Sequence, residues 1–225
     1  MKSEETPATF DEAYFRTAYR DYARQNPKRK LDFYESIAQQ ARGGKTSTLL
    51  DLGCGLGAFL GHLRSGDPTK QAWRLVGTDV SEFAIARNQL VIPDVEFYVR
   101  RIEEEPLDGL KADIVTAFDV LEHLDNPDRA AEMIRSTLRP GGSLVLVVPV
   151  YDGPLGPLVT LADHDATHLQ RKSRTWWLDW TARFFEVTDW LGMYRGMTPW
   201  RYYAHLPSRR WRRWSPAILV AARRP

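Results

Sequence analysis

Three glycines alternate with other residues in the stretch "TLLDLGCGLGAFL", at Gly53, Gly55 and Gly57. Glycine adopts positive φ and has no Cβ, so a turn of this composition leaves its main-chain amides open to a polar ligand. The turn comes between a strand-like and a helix-like run, which is where doubly wound folds bind ligands. A turn that needs glycine only for its own geometry would look the same, so both readings stay open at this point.

A carboxylate ends the next strand-like run, "RLVGTD", at Asp79. At the same edge of a sheet, it can accept hydrogen bonds from the two vicinal hydroxyls of a ribose. The alternative role is that of a cap for the following helix, but Ser81 is already suited to that role. The glycine turn and this acid together predict a site for a nucleoside cofactor.

The spacing of the glycines narrows the kind of cofactor. Dinucleotide sites use GxGxxG, in which the middle glycine makes room for pyrophosphate, whereas here the pattern is "GCGLGA" and Phe59, not glycine, stands further on. Asp51, just before the turn, would repel a pyrophosphate and attract a cationic amino group. An adenosine with a positive sulfonium and an amino-acid tail meets these requirements, and a nicotinamide cofactor is disfavoured.

Histidines that follow the strands are candidate catalytic bases. His123 comes after "FDVLE", and the later loop "ADHDATH" carries His164 and His168 beside Asp163 and Asp165. A base within hydrogen-bond reach of a protonated nucleophile can take its proton; the alternative is that the loop histidines form hydrogen bonds that hold the loop. "DHDATH" could also suggest a metal site, but such sites usually need three well-spaced ligands, so we expect no metal.

The segments around these residues alternate between strand-like and helix-like patterns. Continuous apolar runs separated by helix-length segments indicate a parallel sheet covered on both faces; the runs are "TLLDL", "RLVGTDV", "VEFYVR", "ADIVTAF" and "GSLVLVVPV". Before them, an aromatic helix ends at Pro27, and Lys30–Arg42 forms a second helix. Ser81 and Pro127 mark the starts of two later helices.

The rhythm changes after Val150, where a Pro/Gly-rich loop begins. The segment "SRTWWLDWTARF" is predicted to be a helix, and "FEVTDWLG" and "AILVAAR" are predicted to be strands. Between these strands, "MYRGMTPWRYYAHLPSRRWRRW" is aromatic and is expected to be irregular.

Length and composition favour one domain. The chain has 225 residues, a net charge of +2 and one cysteine, Cys54, and it begins with an acidic, polar segment unlike a secretory signal. No run approaches the roughly 18 apolar residues of a membrane span, so we expect a cytoplasmic protein without an integral membrane segment. Arginines near the C-terminus are compatible with peripheral contact with anionic lipid, whereas the small net charge disfavours nucleic acid as a partner.

Four motifs in this order resemble the class I S-adenosylmethionine-dependent methyltransferases, nearest to their type-11 group: "LLDLGCGLG", "LVGTDVSEFAIARNQ", "ADIVTAFDVLEHLDNPD" and "LRPGGSLVLVVP". The resemblance covers roughly Thr48 to Pro149. It implies an α/β fold with a Rossmann-like, doubly wound sheet of seven strands, the last antiparallel, and helices on both faces. It also implies one domain over 1–225, divided into a helical lid at 1–44, a cofactor-binding core at 45–150, and a substrate-side loop with C-terminal strands at 151–225.

The resemblance also implies a cofactor site. Asp51 and the turn would line its methionine and ribose side, Asp79 would hold the ribose hydroxyls, and Val80 would pack on the adenine. Phe118 and Asp119, at the end of the fourth strand, would flank the methionine moiety. The turn residues that are carried over are Gly53, Cys54, Gly55 and Gly57.

One position departs from the family pattern. After the third strand the family often has an acid, whereas this chain has Arg101, in "RRIEEEPL". Arginine cannot accept a hydrogen bond. We therefore expect the adenine edge to be recognised by the backbone of Ile102, by stacking of Arg101, or by Glu103.

The activity that the resemblance implies is in-line transfer of a methyl group from S-adenosylmethionine to an oxygen or nitrogen of a small organic acceptor, free or linked to a lipid or sugar. Similar proteins carry a structural or substrate-orienting histidine near the position of His168. A cofactor-binding protein without catalysis and an RNA-directed methyltransferase are the alternatives. Tyr14, Tyr19 and Tyr22 of the lid would close over the cofactor or simply pack.

Overall fold

A computed structural model describes residues 12, 22–42, 46–67, 69, 71–104, 106–163, 165–197 and 203–225. The helices with described bounds are α1 Tyr22–Gln25, α2 Lys28–Ala41, α3 Ala58–Gly66, α4 Glu82–Val91, α5 Pro127–Thr137, α6 Gly156–Ala162 and α7 Arg174–Phe184, with a 3₁₀ turn at Leu121–His123. The strands are β1 Ser47–Leu52, β2 Trp73–Asp79, β3 Glu96–Val99, β4 Ala112–Phe118, β5 Leu138–Pro149, β6 Glu186–Met197, β7 Tyr203–Ser208 and β8 Ala217–Arg223.

These strands form one sheet in the order β3-β2-β1-β4-β5-β8-β6-β7. β1 to β5 pair in parallel, and β8 runs antiparallel between β5 and β6. The strand order reverses between β1 and β4, so the crevice beside their carboxyl ends is the topological switch point of the sheet. The Rossmann-like, doubly wound arrangement with an antiparallel last strand is therefore confirmed.

The expected count of seven strands was wrong, because the described part of the chain contains eight. The additional strand is β7, which pairs antiparallel with the extended end of β6 to form a hairpin at the sheet edge. This hairpin lies in the aromatic segment that was expected to be irregular. Pro207 stands in β7 opposite Met193, and proline is tolerated there because an edge strand leaves one side without a ladder partner.

Helices cover both faces of the sheet, as expected. Successive residues of a strand point to opposite faces, so Leu49 belongs to one core and Leu50 to the other. α5 and α7 pack on the face of Leu50, whereas α2, α3 and α4 pack on the face of Leu49. The helix residues that take part include Ile134 and Trp177 on the first face, and Tyr34, Leu60 and Ile85 on the second.

Local hydrogen-bonding signals determine where two of these helices begin. The hydroxyl of Ser81 accepts a hydrogen bond from the amide of Ala84 at 3.2 Å, and Pro127 is the first residue of α5 after the capping Asn126. Both predicted starts are confirmed. None of the helices in the described ranges combines the length and apolar character that crossing a bilayer requires.

Candidate cofactor and acceptor site

A cavity of about 280 Å³ lies at the switch point, where β1 and β4 end. One part of its wall is the glycine turn between β1 and α3. The other part is made of side chains from segments that are distant in the sequence. The lining residues are Tyr22, Gln25, Asn26, Lys30, Leu31, Tyr34, Asp51, Gly53, Cys54, Gly55, Ala58, Phe59, Phe118, Asp119, Asp165 and Tyr203.

The three glycines of the turn all adopt positive φ, at 64° for Gly53, 51° for Gly55 and 72° for Gly57. A Cβ at Gly53 would lie 2.4 Å from Cγ2 of Val120, and a Cβ at Gly57 would lie 2.9 Å from Cδ1 of Ile92. The packing of the protein itself therefore requires these two glycines. A Cβ at Gly55 would meet nothing closer than the Tyr22 hydroxyl, at 3.7 Å. Gly55 is thus the position where bare main chain faces the cavity.

Asp79 connects the tip of β2 to the glycine turn. Its Oδ2 accepts a hydrogen bond from the amide of Gly55 at 2.8 Å, and its Oδ1 accepts one from the amide of Ser81 at 2.9 Å. Burial raises the pKa of Asp79, and these amides offset the rise only in part. A carboxylate has about four lone-pair sites, so both oxygens can still accept from ribose hydroxyls.

Asp51 is a buried carboxylate in the cavity wall, with 4% of its surface exposed. Thr116 donates a hydrogen bond to its Oδ1 at 2.6 Å. Burial raises the pKa of Asp51 to about 7, against the opposing effect of that hydrogen bond. A cation beside it would favour the ionised form, which agrees with the role that the sequence predicts.

Of the three tyrosines predicted to belong to a lid, Tyr22 is the one within the described residues. Its hydroxyl accepts a hydrogen bond from the amide of Ala58, the first residue of α3, at 3.2 Å. It therefore lies against the glycine turn on the side of the cavity. Tyr14 and Tyr19 fall outside the described residues.

The residues predicted for the adenine side are not brought together at the cavity. Val80 is exposed, whereas Ile102 is buried in the core, and neither is among the lining residues. The guanidinium of Arg101 lies 3.8 Å from the carboxylate of Asp125. The assignment of Val80 and Ile102 to the adenine stays a prediction.

Phe118 and Asp119 follow one another where β4 meets the cavity. Phe118 stacks on Tyr34 with ring centroids 4.2 Å apart. Asp119 has a φ of 56°, the one positive φ of a non-glycine residue in the described ranges. Its carboxylate forms a bidentate ion pair with the guanidinium of Arg195 from β6. Burial alone would raise the pKa of Asp119, but Arg195 holds it below its ordinary value.

Lys30 from α2 adds a buried cation to the cavity wall, with only 7% of its surface exposed. Its Nζ donates to the carbonyl of Gln25 at 3.2 Å and to Oδ1 of Asn26 at 3.1 Å, and it lies 5.2 Å from the centre of the Tyr203 ring. Burial lowers the pKa of Lys30 to about 8. Sequence reasoning missed this residue, because nothing in "NPKRKLD" distinguishes a buried lysine from an exposed one.

Two of the three candidate catalytic histidines come together. The ring centroids of His123 and His168 are 4.7 Å apart. Nδ1 of His123 lies 2.8 Å from Oγ1 of Thr167, and that hydroxyl donates to Oδ1 of Asp165 at 2.5 Å. Of this group, Asp165 is the residue that lines the cavity. His164, the third candidate, lies outside the described residues.

His168 is held by the loop that carries it. Its Nδ1 lies 2.9 Å from Oδ1 of Asp163 and 3.1 Å from the hydroxyl of Tyr151. Tyr151 in turn donates to Oδ2 of Asp163 at 2.6 Å. These hydrogen bonds hold the loop in place. That is the role given above as the alternative to catalysis for the loop histidines.

A doubly wound sheet with bare main chain after its first strand and a carboxylate at the tip of the next is typical of α/β proteins that bind nucleosides. Residues 19–196 of this chain match the family model described as a methyltransferase domain. The chain therefore belongs to that family. The match confirms the predicted class, the S-adenosylmethionine-dependent methyltransferases, whose cofactor is S-adenosylmethionine.

Several curated proteins are similar to part of the chain. A Mycolicibacterium smegmatis protein, named as a probable S-adenosylmethionine-dependent methyltransferase, is 30% identical over 171 residues, covering 72% of this chain and 60% of that protein. The tRNA U34 carboxymethyltransferase of Pseudoalteromonas translucida is 31% identical over 142 residues, covering 61% of this chain and 42% of that enzyme. The chain spans about half the length of the curated relatives that it matches.

Solved structures share the fold. The PH0226 protein of Pyrococcus horikoshii superposes with a TM-score of 0.66 at 16% identity, covering 95% of this chain and 99% of that one. The plantazolicin methyltransferase BpumL, in complex with a pentazolic desmethylPZN analog and SAH, has a TM-score of 0.65 at 13% identity, covering 94% and 90%. At these identities the likeness shows the fold alone.

Proposed function

We propose that the chain transfers the methyl group of S-adenosylmethionine to an oxygen or nitrogen atom of a small organic acceptor, free or linked to a lipid or sugar. The observation that carries this proposal is the two-part wall of one cavity. The glycine turn forms one part, and the polar side chains of Lys30, Asp165 and Tyr203 contribute to the other. A polar acceptor can therefore approach the cofactor from the side opposite the turn.

The glycine turn and two nearby carboxylates, Asp51 and Asp79, fit the cofactor. Gly55 presents main chain with room beside it, Asp51 can hold the ammonium group of the amino-acid tail, and Asp79 can hold the ribose hydroxyls. When bound, the cofactor supplies an electrophilic methyl group on sulfur. The task of the protein is to align an acceptor atom with that methyl group and to exclude water.

Asp165 is the residue that we assign to the proton of the acceptor. The hydroxyl of Thr167 donates to Oδ1 of Asp165 at 2.5 Å, and the amide of Thr167 donates to it at 2.9 Å. Burial tends to raise the pKa of Asp165, but these hydrogen bonds outweigh that effect and hold the pKa below its ordinary value. Asp165 is thus ionised at neutral pH, so it can take the proton that the acceptor atom releases as the methyl group is transferred.

In this proposal the described histidines support Asp165 and do not touch the acceptor. His123 holds the Thr167 hydroxyl that binds Asp165, and His168 packs against His123. They are positioning residues. As the bond from the acceptor atom to the methyl carbon forms, Asp165 takes the acceptor proton, and the carbon–sulfur bond breaks with its electron pair left on sulfur.

An RNA acceptor is the second candidate, and one surface feature favours it. Trp211 and Trp214 are 53% and 51% exposed, and they stand among arginines in "RRWRRW". Exposed aromatic rings with neighbouring arginines can stack on bases and meet phosphates. The small net charge of +2 argues against this candidate.

Transfer from methyl-labelled cofactor tests the proposal. The purified chain is incubated with a small-molecule fraction, a lipid-linked fraction and RNA, and we expect label in one of the first two. Asp165→Asn should lower kcat by about 100-fold with S-adenosylhomocysteine binding retained, whereas the exposed control Asp108→Asn should behave as wild type. If the label appeared only in RNA, the acceptor would be RNA and not a small organic molecule. An unchanged kcat in Asp165→Asn would show that Asp165 does not take the acceptor proton.

A further inference from the structure

Glu122, His123 and His168 form a compact cluster next to Asp165. One candidate ligand atom from each of the three lies within 4.8 Å of the others. Glu122 is buried, and both histidines are partly buried. The amide of Gln170 donates to the carbonyl of Glu122 at 2.8 Å, so the loop of His168 is fastened to the 3₁₀ turn that carries the other two residues.

Hydrogen-bond partners assign the hydrogen of each imidazole ring. Nδ1 of His123 lies 3.2 Å from the carbonyl oxygen of Thr167, and Nδ1 of His168 lies 2.9 Å from a carboxylate oxygen of Asp163. A carbonyl or an ionised carboxylate can only accept, so each Nδ1 carries a hydrogen, and in the neutral ring the lone pair is then on Nε2. Metal-binding histidines are typically oriented in this way, with the other ring nitrogen donating to a carbonyl or carboxylate.

The carboxylate of Glu122 adds an independent observation. Within the described part of the chain, its Oε2 has no hydrogen-bond partner, although only 1% of the residue is exposed. An unpartnered polar atom in such a place is costly. A cation held between this oxygen and the two imidazole rings would remove that cost.

From this geometry we propose that Glu122, His123 and His168 bind a divalent transition-metal ion. Two imidazole nitrogens and one carboxylate oxygen favour Mn²⁺, Fe²⁺, Co²⁺, Ni²⁺ or Zn²⁺ over Ca²⁺ and Mg²⁺. The motif "DHDATH" by itself led us to expect no metal. Two of the three proposed ligands lie outside that motif, in the turn after β4, and only the fold brings them to it.

The consequence for the reaction rests on the proposed function. Oδ2 of Asp165 lies 3.9 Å from Nε2 of His168, and Asp165 lines the cavity, so the ion belongs to the acceptor side. A cation there stabilises negative charge that develops on an acceptor oxygen, which narrows the acceptor to a hydroxyl compound. The hydroxyl proton passes to Asp165, the oxygen–methyl bond forms, and the carbon–sulfur bond breaks with its electron pair left on sulfur.

A second group of side chains offers a matched control. Asp32, Glu35 and His62 also place one candidate ligand atom each within 4.8 Å of one another. Asp32 is exposed, and His62 already pairs with the two carboxylates at 3.2 and 2.9 Å. We interpret this group as a surface charge cluster, so it should not bind a metal ion tightly.

Cobalt titration tests the site directly. The full chain, stripped with a chelator, is titrated with Co²⁺ and followed by visible absorption and calorimetry, with S-adenosylhomocysteine binding measured in parallel. We expect one tightly bound Co²⁺ per chain, about 100-fold weaker binding in Glu122→Gln and in His168→Ala, and wild-type affinity in His62→Ala. Retained binding of S-adenosylhomocysteine shows that each variant is folded; should Glu122→Gln not fold, His168→Ala carries the test.

Three results would overturn the metal site. They are a wild-type chain that binds S-adenosylhomocysteine but no Co²⁺, a folded Glu122→Gln or His168→Ala variant with undiminished Co²⁺ affinity, and a loss of binding confined to His62→Ala. Each would leave the proposed methyl transfer standing. A chain that binds Co²⁺ at this cluster but transfers no methyl group to any acceptor would instead remove the proposed function and keep the site.

Discussion

Main-chain groups form one side of the cavity, whereas side chains form the other. The side proposed for the cofactor is the glycine turn, of which Gly53, Cys54 and Gly55 line the cavity, and main-chain amides join this turn to the tip of β2. The acceptor side consists of individual side chains from separate segments of the chain. Most of these side chains are charged. The lining side chains are Lys30, Asp119, Asp165 and Tyr203, and Asp119, which is predicted to flank the methionine moiety, pairs with Arg195.

The two sides of the cavity should respond differently to substitution. Main-chain amides occupy positions that a few φ angles determine, so many side chains around them can change while the amides stay in place. A cluster of side chains changes its chemistry with each substitution. We therefore expect cofactor binding and acceptor binding to respond to separate sets of mutations, and four predictions test that separation.

The largest effect on stability should come from crowding the glycine turn. Gly53→Ala would place a methyl group 2.4 Å from Val120 at a φ of 64°, and overpacking with left-handed strain should destabilise the fold by about 3 kcal/mol. Gly55→Ala meets only the Tyr22 hydroxyl, at 3.7 Å, so it should cost about 1 kcal/mol yet weaken S-adenosylhomocysteine binding, because its methyl group faces the ligand. Urea unfolding and calorimetry measure the two effects. Equal losses of stability would contradict the different surroundings of the two glycines.

The largest effect on cofactor affinity should come from Asp79→Ala. Two hydrogen bonds to a charged acceptor contribute about 1.5–3 kcal/mol each, so S-adenosylhomocysteine should bind at least about 100-fold more weakly by calorimetry. Glu82→Ala, an exposed acid three residues later, is the matched control and should bind as wild type. Similar affinities in the two variants would refute the assignment of Asp79 to the ribose.

A smaller effect on stability is expected from Arg195→Ala. The ion pair with Asp119 is partly buried, with side-chain exposures of 15% and 31%, so its loss should destabilise the fold by about 2 kcal/mol, between the values for exposed and buried pairs. The control is Arg209→Ala, whose exposed pair with Asp189 should contribute about 0.5 kcal/mol. If Arg195→Ala destabilised the fold no more than Arg209→Ala does, the partly buried ion pair would contribute little to stability.

The smallest effect is a pH dependence centred on Asp51, whose pKa burial raises to about 7. Protonation removes its attraction for an ammonium group, so S-adenosylhomocysteine affinity should fall by up to about tenfold between pH 7 and pH 6, and by less in Asp51→Asn. A raised carboxyl pKa means that the folded state loses stability as pH rises toward 7. Asp51→Asn should therefore raise Tm at pH 8 by about 5 °C, and by less at pH 5. A Tm gain that is equal at both pH values would contradict the raised pKa.

Local patterns in the sequence were sufficient to predict those elements that depend on residues close together in the chain. The strands from β1 to β5 follow from apolar runs, and the starts of α4 and α5 follow from Ser81 and Pro127. The glycine turn and Asp79 were recognised for the same reason, because turn geometry and the end of a strand are local properties. The count of seven strands failed at β7, where aromatic residues and Pro207 conceal an edge strand that only its partner β6 stabilises.

Contacts between side chains that are distant in the sequence could not be predicted from it. Asp119 and Arg195 are 76 positions apart, and no pattern in either segment indicates the other. Lys30 is ordinary in the sequence and becomes a buried cation only because α2 packs beside β7. His123 and His168 are recognisable as candidates, but their contact with each other and the enclosure of Glu122 depend on how the loop before α7 packs against the 3₁₀ turn that follows β4. The physical reason is that contact between distant side chains depends on the packing of whole elements, which residue type and spacing do not encode locally.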